Sequence, residues 1–508
     1  MARLHEYQAK ALLRAQGLAV PEGHAVSSAA EAREAARRLG GRVVLKAQVW
    51  VTGRAEKGGV LFADSPDLAA AHAEKLLALR FGSFAVTRIL VERALEIDAE
   101  LFVSLTIDDA AHAPVLLLDL HGGTGIEQRA AAVARLPVDV EAGVDRDAVR
   151  RVLDASPLDR DLHEGIIEAI EIVVKTARRY EARSLEVNPL VITADRRVVA
   201  ADCRLTIDDY AVFRHPELEI DIARELDHPA TRLERIAYQV EQADHRGTFY
   251  FAQLSREPAG SSAGLIGFHG AGGGGSMMSM DAVAAVGFAP ANYCDTSGNP
   301  SAAKVYRAAR IILAQPGLLG YFGSGSGVAS QEQYHSAYGL AKAFRELDLS
   351  IPAVIRLGGN SEDRAVRILE DAGRDLPGRV EGYKKDDPPA FIADRFAELV
   401  AEAGGATWST RPRSVPGFVG AGYHFPIHDG TVWIDHDRCD PQTTRFVIEH
   451  ANGLLTDQDG LPVLAVSPED VDSKDSDLVA LEVECHLARK PVVFVDLPIP
   501  GLDDDEPP

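Results

Sequence analysis

In the first part of the chain, segments whose hydrophobic positions repeat with the period of a helix alternate with strand-like hydrophobic runs. In LHEYQAKALLRAQG, Leu4, Tyr7 and Leu12 fall on one helical face, and Gly17 suits the C-terminal cap. Similar helical patterns occupy EAREAARRLGG, PDLAAAHAEKLLAL and LHEGIIEAIEIVVKTARRYEA. Strand-like runs lie around them: RVVLKAQVWV, TRILVERAL, ELFVSLTID, PVLLLDL and SLEVNPLVI followed by RRVVAAD. Residues 1–240 are therefore predicted to form a mixed α+β domain.

A different pattern begins near residue 245. The runs GLIGF, ANYCD, GYFGS and AVIRL read as buried strands, and helical segments such as AAKVYRAARIILA and QYHSAYGLAKAFREL lie between them. This alternation is typical of βαβ units around a parallel sheet. The segment DHRGTFYFAQLSREPAGSSAG, rich in Gly, Ser and Pro, marks the boundary. We place this α/β domain at 245–402.

The last part of the chain, 405–508, is predicted to be a small C-terminal extension of unknown role, for docking or oligomerisation. It opens with the linker-like GGATWSTRPRSVPGFVGAG and continues with the strand-like runs TVWID, PVLAV and PVVFVDL. A chain of 508 residues is too long for one hydrophobic core, so a multidomain α/β and α+β protein is expected.

The composition of the chain argues against several classes of function. The net charge of −23 argues against nucleic acid or an anionic membrane as the main partner. No apolar run has the length of a membrane span, and the charged amphipathic start does not resemble a signal peptide, so a cytoplasmic protein is expected. The cysteines are far apart, which favours free thiols: Cys203, Cys294, Cys439 and Cys485.

A basic strand and loop form the first candidate site. In VVLKAQVWVTGRAEKGG, Lys46 lies on a strand that leads into a loop with Gly53 and Arg54. Lysine supplies a point charge, arginine a planar fork, and glycine lets backbone N–H groups approach an anion. An ordinary basic hairpin is the alternative.

Two acidic stretches add candidate ligands. In ILVERALEIDAEL, Glu92 and Glu100 suit ribose hydroxyls or an adenine amino group, with a solvated acidic pair as the alternative. In SLEVNPLVITADRRVVAAD, Asn188 and Asp202 come together if the two strands form a hairpin, and oxygen ligands of this kind suit magnesium. Glu186 shares a strand face with Asn188. Surface-facing polar residues are the alternative here.

A glycine-rich stretch, GLIGFHGAGGGGSMM, joins a strand to a helix. Gly270, Gly272 and Gly275 satisfy GxGxxG, and Asp295 follows at the distance of a dinucleotide site, although a glycine run meets this pattern easily. A purely structural turn is a second alternative. We favour an anion at the N-terminus of the helix, where unpaired N–H groups and the helix dipole attract it.

Taken together, these stretches resemble the succinyl-CoA synthetase (ADP-forming) β-subunit family. The resemblance is carried by LHEYQAK, the lysine strand with its GR turn, the Gly122-Gly123-x-x-Ile126-Glu127 segment and EVNPLVI, and it continues through 264–283 and 354–360. It spans roughly residues 1–400. It implies an ATP-grasp nucleotide-binding domain at 1–240, followed by a flavodoxin-like parallel-sheet CoA-ligase domain.

The resemblance also implies roles for matching positions. Asn188 and Asp202 would bind magnesium, and Glu186 would be the catalytic carboxylate that meets a phosphorylated histidine. That histidine would belong to an α-type partner subunit, which would also hold most of the coenzyme A. The implied nucleotide-binding residues are Lys46, Gly53, Arg54, Glu92, Leu95 and Glu100.

The implied activity is that of an ATP-dependent acid–CoA ligase acting through phosphohistidine and acyl-phosphate intermediates, with ATP, Mg²⁺ and coenzyme A as cosubstrate. No α-like segment is recognised in the chain, so a separate partner is expected. Two alternatives stay open. One is an ATP-grasp ligase that joins a carboxylate to an amine without coenzyme A, and the other is a regulatory paralogue that no longer catalyses.

The loops expected to bind the acid depart from the family pattern. His269 stands where asparagine is expected, FGSGSGV at 322–328 replaces FGGI-V, and Thr296-Ser297-Gly298 replaces a glycine triplet. These changes predict a small, succinate-like acid with more hydrogen-bonding groups, such as a hydroxy- or sulfo-substituted one. A structural role for His269 is the alternative. The predicted substrate-binding residues are His269, Gly270, Gly323, Ser324 and Gly325.

Overall fold

The structure is a computed structural model that describes most of the chain. The described residues are 2–51, 53–123, 133–224, 226, 228–244, 246–254, 264–325, 329–413 and short stretches between 423 and 503. Several positions named above lie outside them: Ile126, Glu127, 255–263 of the boundary segment, 326–328 of the FGSGSGV loop, 414–422, Cys439 and Cys485. The chain forms two compact units, Met1–Ala230 and Thr231–Pro508.

The first unit combines helices with mostly antiparallel strands. Its helices are α1 (Glu6–Ala15), α2 (Ala29–Leu39), α3 (Pro66–Leu77), α4 (Arg146–Asp154) and α5 (Arg160–Arg179). Its strands are β1 (Ala2–Arg3), β2 (Gly23–Val26), β3 (Val43–Ala47), β4 (Val60–Ala63), β5 (Arg80–Phe81), β6 (Phe84–Ala85), β7 (Ile89–Arg93), β8 (Ile97–Asp108), β9 (Ala113–Asp119), β10 (Ala134–Asp139), β11 (Gly143–Val144), β12 (Ala182–Thr193), β13 (Val198–Ala200) and β14 (Arg204–Ile207).

Local sequence signals explain where the early helices begin. Ser28 precedes α2, and its hydroxyl accepts a hydrogen bond from the Glu31 amide at 3.2 Å. Ser65 precedes α3 in the same way and accepts from the Leu68 amide at 3.2 Å, with Pro66 in the first turn. Both serines satisfy amides that have no partner within the helix.

Two large sheets build the first unit, and β5 pairs with β6 in a separate two-stranded sheet. The larger one has the order β1–β14–β12–β8–β9–β10–β11, with β13 beside β12, and the smaller one has the order β2–β7–β3–β4. The predicted hairpin is present, because β12 and β13 pair antiparallel with Leu190 opposite Ala200. Helix α5 packs on β12, and its buried face includes Ile166 and Ile170. The two sheets carry the candidate nucleotide residues.

The second unit alternates strands and helices. Its helices are α6 (Arg232–Ala243), α7 (Gly273–Ala285), α8 (Ala302–Leu313), α9 (Tyr334–Glu346), α10 (Glu362–Gly373) and α11 (Pro389–Glu402). Its strands up to residue 383 are β15 (Tyr250–Gln253), β16 (Gly264–Ala271), β17 (Phe288–Pro290), β18 (Asn292–Asp295), β19 (Tyr321–Gly325), β20 (Ala329–Glu332), β21 (Ala353–Arg356), β22 (Gly359–Asn360) and β23 (Val380–Tyr383).

The main sheet of the second unit is mostly parallel. Its order is β15–β18–β16–β19–β21–β23, and β17 also pairs with β16. Strand β15 is antiparallel to β18, whereas β18, β16, β19, β21 and β23 run parallel to their neighbours. The predicted βαβ arrangement is therefore confirmed. In such sheets, ligands bind beyond the carboxyl ends of the strands.

The described part of the C-terminal segment belongs to the second unit. Its short strands are β24 (Tyr423–Phe425), β25 (Ile427–His428), β26 (Thr431–Trp433), β27 (Leu455–Gln458), β28 (Leu461–Ala465) and β29 (Val493–Val495). Val479, Val483 and Ile499 are buried in the same hydrophobic core as α8 and α9. Trp408 is 1% exposed and donates to the Leu313 carbonyl at 2.6 Å. These residues complete the core rather than extend away from it.

Candidate functional site

Lys46 lies at the centre of a group of buried charges in the first unit. Its strand, β3, pairs with β7, and its Nζ lies 3.0 Å from Glu92 Oε2. The same Nζ donates to Glu6 Oε1 at 2.8 Å and to the Ala201 carbonyl at 2.7 Å. Burial alone would lower the pKa of Lys46, but Glu6, Glu92 and Asp202 raise it, so the ammonium stays charged.

Helix α1 contributes an ion pair of its own to this group. Glu6 and Lys10 lie one turn apart, and Lys10 Nζ donates to Glu6 Oε1 at 2.8 Å and to Glu92 Oε1 at 2.7 Å. The Glu6 and Lys10 side chains are 2% and 4% exposed. Burial alone would raise the pKa of Glu6, but Lys10, Lys46 and Arg54 together hold it well below its usual range.

Arg54 connects these charges to Asp202. The loop begins at Gly53, which has a φ of 66°, a conformation that favours glycine. Arg54 Nη1 donates to the Ala47 carbonyl at 2.9 Å, and Nη2 lies 2.9 Å from Glu6 Oε2 and 3.1 Å from Asp202 Oδ2. We call the following six residues the buried charge cluster: Glu6, Lys10, Lys46, Arg54, Glu92 and Asp202.

The two candidate magnesium ligands are brought near each other by the pairing of β12 with β13 and with β14. Asn188 and Asp202 fall at matching positions between the Leu190–Ala200 pair and the Glu186–Arg204 pair. Asn188 Oδ1 accepts from the Gly123 amide at 2.9 Å. Burial and the nearby Glu6 carboxylate raise the pKa of Asp202 despite the adjacent cations, so a further positive charge would stabilise its ionised form.

A cavity of about 470 Å³ lies against the cluster. Its lining includes the charged residues Glu6, Arg54 and Glu186 and the aromatic residues His5 and Trp50. The His5 and Trp50 rings are stacked with their centroids 4.8 Å apart. Burial, with help from Arg88 and Arg54, lowers the pKa of His5 to about 4. The cavity lining therefore combines charged groups with neutral aromatic rings.

The remaining nucleotide candidates lie in different surroundings. Glu92 is 1% exposed, and its carboxylate contacts cations of the buried charge cluster. Leu95 is partly buried against Val191 and Val199. Glu100 is half-buried on β8, and its carbonyl accepts from the Gly122 amide at 2.7 Å.

In the second unit, the glycine-rich stretch ends a strand and begins a helix, as predicted. Strand β16 ends at Ala271, and α7 begins at Gly273. A side chain at Gly270 would place its Cβ 2.4 Å from Ser276 Oγ, so close packing requires glycine there. Asp295 Oδ1 accepts from the Gly272 and Ser297 amides at 3.0 Å each. Asp295 therefore binds the turn itself, unlike the ribose-binding acid of a dinucleotide site.

His269 is buried below this turn. It is 6% exposed, its Nδ1 lies 2.6 Å from the Tyr321 hydroxyl, and its Nε2 lies 2.9 Å from Thr296 Oγ1. Burial lowers the pKa of His269 to about 4, so the ring is neutral at pH 7. Because both ring nitrogens have partners within the fold, an effect of His269 on a ligand would pass through Thr296 or Tyr321.

The other predicted substrate residues lie beside His269 on the neighbouring strand. In the pairing of β16 with β19, His269 is opposite Gly323 and Gly270 is opposite Ser324. Gly325 ends β19, so these residues meet at the carboxyl edge of the sheet. Ser324 Oγ lies 2.6 Å from Ser279 Oγ of α7. Helix α7 thus packs directly over the strand ends.

Several side chains at these sites were not singled out from the sequence. Glu6 and Lys10 belong to a recognised motif, and their spacing on α1 was a usable signal, but their contacts with Lys46 and Glu92 are long-range. Tyr321 gave no sequence signal as a partner of His269. Ser276 Oγ is buried with no hydrogen-bond partner among the described residues. Sequence position alone does not reveal such contacts.

The described residues contain neither a ready-made metal-binding cluster nor a membrane-spanning helix. Within those ranges, no group of three or more His, Cys, Asp or Glu side chains has a metal-binding arrangement. No helix in the described part of the chain is both long and apolar enough to cross a membrane.

The fold and the buried charge cluster define an ATP-grasp nucleotide-binding unit joined to a unit with a mostly parallel sheet. The ATP-grasp domain model matches residues 3–192. The chain is 34% identical over 375 residues to the succinate–CoA ligase [GDP-forming] subunit β of Thermus thermophilus, covering 72% of this chain and 93% of that protein. It is 35% identical over 378 residues to the ADP-forming subunit β of Ignicoccus hospitalis, covering 73% and 94%.

The chain belongs to the succinate–CoA ligase β-subunit family, the nucleoside-diphosphate-forming acid–CoA ligases, as predicted. Among solved structures, ATP citrate lyase from Methanothrix soehngenii, in complex with citrate and coenzyme A, superimposes with a TM-score of 0.65. At 17% identity, covering 78% of this chain and 99% of that chain, this likeness shows the fold alone. The predicted fold class is confirmed.

Proposed function

We propose that the chain is the β-type subunit of an ATP-dependent acid–CoA ligase that works through phosphohistidine and acyl-phosphate intermediates. The observation that carries this proposal is the meeting of Lys46, Arg54 and Asp202 within one buried charge cluster. Two cations beside a metal-ligand carboxylate suit the transfer of a phosphoryl group, because they offset the charge on its oxygens.

Nucleotide binding follows from the ATP-grasp domain, and we assign its contacts from the predicted residues. Lys46 and Arg54 would hold the phosphates, and Gly53 would let the loop backbone approach them. Glu100 and the backbone of Leu95 would contact the nucleoside. Glu92 is paired with Lys10 and Lys46, so its contribution would be to hold Lys46 in place. We propose ATP as the nucleotide.

Magnesium would bind at Asn188 and Asp202. The fit rests on their cross-strand placement, on their oxygen donors and on the raised pKa of Asp202, which a cation would reverse. Bound there, the ion would supply positive charge against the nucleotide phosphates. Arg54, held at 3.1 Å from Asp202, would lie beside the same phosphates.

The cavity beside the cluster suits an incoming imidazole. Glu186 and Arg54 line it, and the His5–Trp50 stack supplies an apolar wall. We propose that the histidine of an α-type partner enters here, that Glu186 orients its ring, and that the γ-phosphoryl group moves from ATP to the ring nitrogen, releasing ADP. A carboxylate oxygen of the acid would then take the phosphoryl group from the histidine, which frees the imidazole and forms the acyl phosphate. The partner would also bind coenzyme A, whose thiolate displaces phosphate from the acyl phosphate to give the thioester.

The acid would bind at the carboxyl edge of the parallel sheet in the second unit. There the amides at the start of α7 would attract the carboxylate of the acid, and Gly270, Gly323, Ser324 and Gly325 would shape the site. We propose a small, succinate-like acid with added hydroxyl or sulfo groups. His269 would influence it through Thr296.

We propose no catalytic role for 405–508, the predicted extension. Trp408, Val479 and Ile499 are buried in the core that also contains α8 and α9, which supports a part in completing the second unit. The two relatives named above align with 72% and 73% of this chain, so their names give no role for the remainder.

Co-purification tests the proposal. The full chain, tagged and expressed in its native host, should retain an α-type subunit whose histidine takes up labelled phosphate from ATP. The complex should then form acyl-CoA from ATP, coenzyme A and a hydroxy or sulfo acid faster than from succinate. Acid-dependent ATP turnover by the chain alone, with no partner and no need for coenzyme A, would overturn the mechanism and favour a carboxylate–amine ligase.

A further inference from the structure

Glu6 connects the two cations that we assign to the nucleotide phosphates. Its Oε1 accepts from Lys46 Nζ at 2.8 Å, and its Oε2 accepts from Arg54 Nη2 at 2.9 Å. One rigid carboxylate therefore holds both groups at a set separation. Among the described ion pairs, Glu92 pairs with Lys46 and Lys10, and Asp202 pairs with Arg54, so each of them contacts one of the two cations.

The surroundings of Glu6 leave its carboxylate little freedom. The side chain is 2% exposed, lies on the buried face of α1, and is also bound by Lys10. The cluster contains three cations and three carboxylates, so its formal charge is balanced. In such an environment a charge-assisted hydrogen bond fixes direction as well as distance.

A bound metal ion would change the ion pair of Asp202 with Arg54 more than it would change the ion pairs of Glu6. Asp202 is the proposed magnesium ligand, so its carboxylate would turn from Arg54 towards the ion. Glu6 is not a proposed metal ligand, and its two oxygens already accept from Lys46 and from Arg54. Glu6 is therefore the carboxylate that keeps both cations in place after Asp202 is engaged.

We propose that Glu6 is a positioning residue for phosphoryl transfer, which sets Lys46 and Arg54 for the nucleotide phosphates. This inference rests on the proposed function. It also predicts that loss of Glu6 weakens the binding of magnesium. Without Glu6, the carboxylate left to Arg54 among the described residues is Asp202, so Arg54 would compete with the ion for it.

A double variant distinguishes two possible roles of Glu6: positioning Lys46 and Arg54, or only balancing the charge of the cluster. Glu6→Gln alone leaves an excess buried cation and is expected to lower the melting temperature. Glu6→Gln combined with Lys10→Met leaves Lys46 and Arg54 against Glu92 and Asp202, so the formal charges balance again. The double variant should recover most of the melting temperature, while the KM for ATP and the magnesium concentration for half-maximal rate each rise about tenfold.

Further variants provide controls. Lys10→Met alone keeps both oxygens of Glu6 on Lys46 and Arg54, so it should lower the melting temperature without a comparable rise in the KM for ATP. Glu6→Asp keeps the charge and shortens its reach, so it should fold and still raise that KM. Glu34→Gln, at an exposed ion pair on α2, should leave every value unchanged.

The outcomes distinguish this inference from the proposed function. If the parental complex neither binds ATP nor phosphorylates its partner, the proposed function fails. If the parent is active and the double variant recovers both its melting temperature and its parental KM for ATP, Glu6 only balances charge and the inference is overturned. A parental KM in a folded Glu6→Asp protein would overturn it as well. All measurements use the complex with its partner, and the KM for the acid should stay constant.

Discussion

Arg54 and Asp202 form an ion pair in the first unit, with Nη2 and Oδ2 3.1 Å apart. Asp202 is also the proposed metal ligand, and its side chain remains 29% exposed. The same carboxylate therefore holds an arginine before nucleotide binds and would hold a cation afterwards. If magnesium replaces Arg54 as the partner of Asp202, the affinity for the nucleotide depends on the magnesium concentration.

Replacing Asp202 tests this coupling. In Asp202→Asn, the affinity for ATP in the presence of magnesium should fall about 10- to 100-fold, because the ion loses an anionic ligand. The affinity without magnesium should change little. Isothermal titration calorimetry with ATP, with and without magnesium, measures both. Asp195→Asn, in the exposed turn between β12 and β13, is the matched control. Equal weakening in both conditions would contradict the assignment.

The neutral state of His269 predicts a pH-dependent contribution to stability. Its pKa falls from 6.5 to about 4 on folding, so the unfolded chain binds an additional proton between these values. The stability linked to His269 is fully present above pH 6.5 and is lost as the pH falls towards 4.

The variant His269→Asn should therefore differ less from the parent at low pH. We expect the difference in free energy of unfolding to shrink by about 2 kcal/mol between pH 7 and pH 4.5. Urea unfolding at a series of pH values measures it. A difference that stays constant across this range would show that His269 is not buried and neutral.

Two glycines of the same stretch should respond differently to alanine. Gly270→Ala would place a Cβ 2.4 Å from Ser276 Oγ and 3.1 Å from the Cys294 carbonyl, so we expect a loss of about 1–3 kcal/mol in the free energy of unfolding. Gly274→Ala meets no heavy atom within 4 Å and lies in α7, so it should keep or raise the stability. Denaturant unfolding compares them. Equal losses would contradict the close packing at Gly270.

The contact between the C-terminal segment and α9 should be important for stability. Lys342 is 0% exposed and pairs with Glu346 and with Glu482 of that segment. Glu482→Ala removes one carboxylate from this buried lysine, so we expect a loss of about 3 kcal/mol in the free energy of unfolding.

The exposed pair of Lys384 and Asp363 in the same unit is the control for that experiment. Asp363→Ala should cost much less, because water already solvates both partners. Thermal and urea unfolding measure the loss of stability in Glu482→Ala and in Asp363→Ala. An equally small effect for Glu482→Ala would mean that the segment does not stabilise the second unit.

The sequence by itself determined the family, the order of most elements and the two kinds of sheet. The family, the order of elements and the kinds of sheet depend on local periodicity and on the order of motifs. Both can be read from the linear sequence. The hairpin that brings Asn188 near Asp202 was predictable for the same reason, because its strands are neighbours in sequence. The roles proposed for these residues stay predictions until they are tested.

Only the tertiary structure decided which charged groups meet and how deeply they are buried. Glu92 was expected to face a nucleotide, yet folding places it against Lys10 and Lys46, residues far away in sequence. His269 was expected to face an acid, yet Tyr321 and Thr296 enclose it. Burial and ion pairing arise from contacts between distant segments, so no local pattern determines them.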